Sequence, residues 1–257
     1  MELTLPIPAA DTIMAFVLVL TRLGAVMIMA PLFSNRTVPV RVRAVVAVTL
    51  TVLLLPLVET PSNMSQMSFP ETFALLLKEA AVGFVIGFAA SIIVMAWSLG
   101  GAILDLMIGF SFGGVVDPIY GNQTSVIQQL YVLLAGVVFV SVNGDHWVLT
   151  AMARSFEKLP LNQAPVAGDF PDLAISAVTT TFVTGVGVVA PVFISLLLTD
   201  VAFGLVARAA PQTQIFGLEA PVKIAVALAI LVVTLPLMVP IMITTLDRML
   251  GLAVGGG

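Results

Sequence analysis

Long apolar runs separated by short polar breaks set the layout of the chain. Thr12–Pro31, Ala44–Val58, Thr72–Ser98, Val126–Val142, Leu173–Thr199 and Val222–Thr245 each read as a hydrophobic helical segment, and about 20 apolar residues suffice to cross a bilayer. No polar stretch between them is long enough to bury a core. The expectation is an all-α integral membrane protein, with about six long hydrophobic helical segments in hairpins. One stretch breaks the pattern. From Gly100 to Gln129 the chain is too apolar for a solvated loop, yet Gly109, Gly113, Gly114, Pro118 and Gly121 interrupt any helical run. Irregular backbone persists in a membrane only where protein or a water-filled cavity covers its polar groups. This stretch therefore reads as a broken, re-entrant element that lines or closes something.

Composition agrees with a membrane protein: 60% of the residues are hydrophobic and 9% charged, against roughly 25% charged in ordinary soluble domains. The absence of cysteine excludes disulfides and thiolate metal sites. A net charge of −4 without any basic cluster gives no reason to expect nucleic acid. Glu2 and Asp11 precede the first apolar run where a secretory signal would carry positive charge, so that run is expected to be a retained transmembrane helix.

The few charges within or beside apolar sequence are Arg22, Lys78, Glu79, Asp105, Asp117, Asp200 and Arg208. A lone cation in lipid costs at least ~2.5 kcal/mol, so Arg22 should face protein, a cavity or an acidic partner. Lys78 and Glu79 are adjacent on one helix, about 100° apart, and should reach different neighbours. Arg36, Arg41 and Arg43 make Ser34–Arg43 the most basic loop, which places it in the cytoplasm and the N-terminus outside. Along Thr72–Ser98, Ala80, Gly83, Gly87 and Ala90 form a small-residue face for close helix packing. Asn143–Asp172 is the longest polar region; its apolar piece, Trp147–Met152, is too short to span, and the lone His146 reads as a solvated or capping residue. Pro191, Pro236 and Pro240 should kink the last two segments, which the connector Asp200–Pro221 joins.

No Walker loop, HExxH pair, GxSxG elbow or paired catalytic carboxylate is present. In order, TRLGAVMIMAPLFS, VPVRVR, KEAAVGFVIGF, GGAILDLMIGFSFGGVVDP and LLLTDVAFGLVARAAPQTQIFGLEAPVK closely resemble the FliR/SctT family of the type III secretion export gate. The agreement covers Thr21 to Lys223, and its last motif is more similar to the flagellar than to the injectisome branch. The resemblance implies a non-enzymatic, cofactor-free subunit of the bacterial inner membrane at the flagellar basal body. Its partners would be FliP-like, FliQ-like and FlhB-like gate subunits, membrane lipid, and unfolded secreted polypeptides in transit. It also implies a FliP-like part over 1–172 and a FliQ-like hairpin over 173–257, in a partly raised complex where hydrophobic segments need not equal crossings.

By motif position the family's plug falls on Phe110, Ser111, Phe112, Gly113, Gly114, Val115 and Val116, ended by Asp117 and Pro118. Apolar side chains can close a channel by dewetting. FSFGG can equally be a packing turn between helices. The connector motif falls on Asp200, Arg208, Pro211 and Gln212, which implies assembly roles. Competing readings are a virulence injectisome subunit, an ion or small-molecule transporter, and a membrane scaffold. Transporters usually carry a broken segment in each of two related halves, and only Gly100–Gly121 is clearly broken in this sequence.

Overall fold

A computed structural model describes residues 10–31, 33, 38–59, 67–109, 126–161, 170–209 and 216–254. Most of these residues are helical, with no strand among them: α1 Ala10–Met29, α2 Val40–Leu54, α3 Phe69–Ile108, α4 Val126–Ser141, α5 Gly144–Lys158, α6 Phe170–Ala209 and α7 Phe216–Ala253. Among the described residues, five helical stretches are long and apolar enough to cross a membrane, or six if the bent pair α4 and α5 counts as one span.

Local chemistry explains where the helices start and stop, and it moves several expected boundaries. Pro39 precedes α2 and its carbonyl accepts from Val42 and Arg43, so Arg41 and Arg43 lie in the first turn of a helix rather than in a loop. Proline near a helix start loses nothing, because its missing N–H would have no partner there. Pro56 then ends α2 in a 3-10 turn, Leu55–Leu57. α3 opens on a capping box: the Glu71 carboxylate accepts from the Ser68 backbone N–H and hydroxyl, each at 2.8 Å.

The largest correction concerns Gly100–Ile108, the first part of the stretch expected to be broken. It is the continuous end of the 40-residue α3. Gly100 and Gly101 serve packing instead of breakage. A Cβ on Gly100 would lie 2.8 Å from the Gly185 carbonyl oxygen of α6, and one on Gly101 would lie 2.7 Å from the Gln128 Cα of α4. The helix ends at Gly109, whose φ of 93° suits glycine.

The polar region after Val142 is also helical. α5 buries Val148, Ala151, Met152, Ser155 and Phe156 at helical spacing, and Asn143 just before it takes φ 53°. The apolar half of the connector, VAFGLVARA, continues α6 to Ala209, as its Ala, Leu and Arg content favours.

The chain divides into two compact units. One comprises Met1–Ser91, Asn143–Ile175 and Leu246–Gly257, with a core that includes Leu18, Leu23, Ile86, Met152 and Phe156. The other comprises Ile92–Val142 and Ser176–Thr245, with Trp97, Tyr131, Phe139, Val192 and Met242 in its interior.

Candidate functional site

The buried charges are where this sequence departs most from a plain apolar bundle, and each has a particular counterpart. In the first unit, Arg22 of α1 and Glu79 of α3 are both fully buried. Arg22 Nε donates to Glu79 Oε2 at 2.5 Å. Its Nη1 donates to the carbonyl and hydroxyl oxygens of Ser155, both at 3.1 Å, and its Nη2 to the Leu159 carbonyl at 3.0 Å. The guanidinium also lies over the Phe156 ring, 4.3 Å from its centroid. One cation thus ties α1, α3 and the C-terminal end of α5 together. Of the two carbonyls it takes, that of Ser155 also accepts from the Leu159 backbone N–H at 2.9 Å, and that of Leu159 lies just past the end of α5. The second Glu79 oxygen, Oε1, is buried without a hydrogen-bond partner among the described residues. Lys78, one residue earlier, is half-buried and has no ion pair among them.

Beside this pair, Gly83 and Gly87 bring α3 against α1. A Cβ on Gly83 would collide with the Arg22 carbonyl oxygen, and one on Gly87 would lie 2.8 Å from both the Val26 carbonyl oxygen and the Met29 Cβ. Only glycine permits that approach, so the small-residue face has α1 as its neighbour.

In the second unit, two groups hold the end of α3. Asp105 is buried and its carboxylate accepts from the backbone N–H groups of Ile127 at 3.2 Å and Gln128 at 2.9 Å. It caps the N-terminus of α4 from a different helix, where free N–H groups and the helix dipole favour an anion. Gln128 Nε2 donates to Ser98 Oγ at 2.8 Å, reinforcing the same junction. Lys223 of α7 forms ion pairs with Asp200 of α6 at 2.6 Å and Glu219 at 2.8 Å, and donates to the Met107 carbonyl of α3 at 3.3 Å. Met107 is in the last turn of α3, where a cation meets unpaired carbonyls and the negative end of the dipole. Arg208 is exposed in the last turn of α6.

The expected plug, Phe110 to Pro118, and the connector residues Pro211 and Gln212 lie outside the described residues. Ile108 and Gly109 are the described residues immediately before that stretch.

The amino-acid sequence places the chain among known proteins. The family described as Bacterial export proteins, family 1, matches residues 13–249. The chain belongs to that family. Its relatives include the flagellar biosynthetic protein FliR of Bacillus subtilis (strain 168), 34% identical over 87% of this chain and 86% of that protein. The flagellar biosynthetic protein FliR of Escherichia coli (strain K12) is 30% identical over 86% and 84%. The surface presentation of antigens protein SpaR of Shigella flexneri is 28% identical over 63% of each chain.

Within this member of the export family, sequence reasoning missed Lys223, Glu219, Ser155 and the Leu159 carbonyl. Lys223 carried a usable signal, since Glu219 stands four residues before it on one helix face. Ser155 carried none, because its role depends on α5 folding back toward α1.

Proposed function

We propose that the chain is a channel-forming subunit of the flagellar type III protein export gate, in the inner membrane at the basal body, passing unfolded polypeptides. The observation that carries this reading is the similarity to flagellar biosynthetic proteins over most of both chains. The injectisome alternative has a shorter and weaker counterpart. The number of broken elements does not separate a channel from a transporter here, because among the described residues α4 and α5 are themselves a bent pair that the sequence reading did not count.

A physical argument supports a place in a hetero-oligomer. Exposed apolar residues on α6 run from Ile175 to Val206, about 47 Å of helix against a hydrocarbon core of ~30 Å. Keeping all of them in lipid would need a tilt near 50°, well above the ~20° average. The excess apolar surface, with Val201, Leu205 and Val206 beyond Asp200, calls for other protein subunits. FliP-like, FliQ-like and FlhB-like subunits are the partners of this reading, with 1–172 as the FliP-like part and 173–257 as the FliQ-like hairpin. Asp200, Arg208, Pro211 and Gln212 would serve docking.

Closure of such a channel needs steric exclusion and dewetting, not catalysis. Phe110 to Val116 are the proposed plug, ended by Asp117 and Pro118. The test is deletion of 110–114 in a flagellated host, scored for ion leakage, export and complex recovery. Raised leakage from a normally assembled complex is expected. Unchanged leakage in an assembled complex would reject the plug, and failure of the intact chain to co-purify with gate subunits would reject the wider reading.

A further inference from the structure

We propose that the exposed face of α6 beyond Pro191 is the seat of one helix of a partner protein, which presents an apolar ridge in register with α6 and a carboxylate opposite Arg208. This names the chemistry of one contact in the assembly proposed above and rests on that reading. Ile194, Leu198, Val201 and Leu205 are each more than half exposed. With Arg208 they follow one another at spacings of four, three, four and three residues. That alternation averages 3.5 residues and keeps one narrow stripe turned toward a neighbouring helix. The stripe is about 21 Å long. Val192 and Leu196 of the same helix are fully buried, and at helical spacing they fall on the opposite side, in the core of the second unit.

Lipid accounts for neither the register nor the flanks. Hydrocarbon chains ask only for apolar surface, without a 3.5-residue repeat and without small neighbours. Beside the seam stand Ser195, Ala202 and Ala209, and across it Gly204, where a Cβ would meet nothing within 4 Å. Small flanking residues let a second backbone come close.

Arg208 takes the next position of the same repeat, exposed and without an ion pair among the described residues. The described carboxylates of its unit are already engaged: Asp105 on the amides of α4, Asp200 and Glu219 on Lys223. No acidic residue stands between Ala209 and Leu218. The counterpart is left for a partner to supply, and the planar fork of the guanidinium suits a carboxylate. A second copy of the chain does not provide one. Two such seams in parallel would set Arg208 against Arg208, and in antiparallel array they would set it against apolar Ile194.

The test places the photoreactive residue benzoylphenylalanine at one position of the full chain at a time, in intact membranes of its host, and maps the adducts by mass spectrometry. Adducts with one helix of one partner protein are expected from Leu198, Val201 and Leu205, and few from Val206 and Ala207, which are exposed but off the seam. The mapped helix should carry Asp or Glu within reach of Arg208. Arg208→Glu should lower the adduct at Val201 about tenfold, the scale of one charged hydrogen bond at an interface. Arg208→Lys should keep most of it, and lysine in place of the partner's carboxylate should restore the yield of the Glu variant. The map itself is made with Arg208 in place, so it decides even where a charge variant is unstable. Adducts with lipid alone, adducts between copies of this chain, equal yields on and off the seam, or a partner helix without a carboxylate near Arg208 would each overturn the proposal. A mapped partner from outside any export apparatus would instead reject the gate reading and leave the seam standing.

Discussion

Arg22 shows how a charge survives in apolar surroundings: every nitrogen of its guanidinium has an acceptor, and its carboxylate partner is as deeply buried as itself. Such a pair adds little over a well-packed apolar replacement, but removing one partner strands the other. Glu79→Ala should therefore destabilise the protein by about 3–5 kcal/mol, and the double variant Arg22→Leu with Glu79→Leu should recover most of that loss. Denaturant titration of the detergent-solubilised protein checks this; a single variant as stable as the parent would remove the argument. The need for an acidic partner was legible in the sequence, since a cation amid TRLGAVMIMA has no other cheap solution. Its identity was not, because Glu79 is 57 residues away and equivalent on paper to Asp105. Nothing in the sequence marks Asp105 as the carboxylate that meets α4 amides. That role depends on which helix start lands beside it.

At the scale of an element, the glycines separate into those that permit close approach and those that do not. Gly83 of α3 has the Arg22 carbonyl where its Cβ would be, whereas Gly136 of α4 has nothing within 4 Å. Gly83→Ala is expected to cost about 1–3 kcal/mol by overpacking. Gly136→Ala should instead gain up to ~1 kcal/mol, since alanine is the better helix former. Paired unfolding curves of the two variants test the distinction, and equal shifts in both would refute it. The same distinction explains why Gly100 was misread. A glycine in sequence signals either a break or a contact, and the choice depends on whether another backbone lies against it. Boundaries carried by local chemistry were more accessible: Ser68 and Glu71 form a capping box in plain view, and the three-and-four spacing of Val148, Ala151, Met152, Ser155 and Phe156 marks a helix inside a region that looks polar on average.

For the whole molecule, the exposed apolar residues of α6 extend further than the ~30 Å of a bilayer's hydrocarbon, which the proposed assembly would cover. Leu205, 64% exposed near the end of α6, lies past Asp200 on the part assigned to partner subunits. Leu205→Glu should leave the helical content of the isolated chain unchanged while lowering recovery of the multi-subunit complex several-fold, about what one buried unpaired charge costs at an interface. Circular dichroism and quantitative co-purification read the two halves of this expectation, and full recovery of the complex would count against the assignment. The sequence by itself determined that the protein is helical, that it is built for a membrane, and where most apolar segments lie. Those properties follow from composition and periodicity, which are local. Family membership was equally legible, because motif order and spacing are properties of the chain alone. The tertiary structure decided the pairing of Arg22 with Glu79, the seat of Asp105 on α4, and the tie from Lys223 to Asp200, Glu219 and Met107. It also carried α3 through Gly100 to Ile108, with Gly109 at its end. Charges and glycines take their meaning from neighbours brought close by the fold, and apolar patterning tells which faces are buried without telling which helix lies against them.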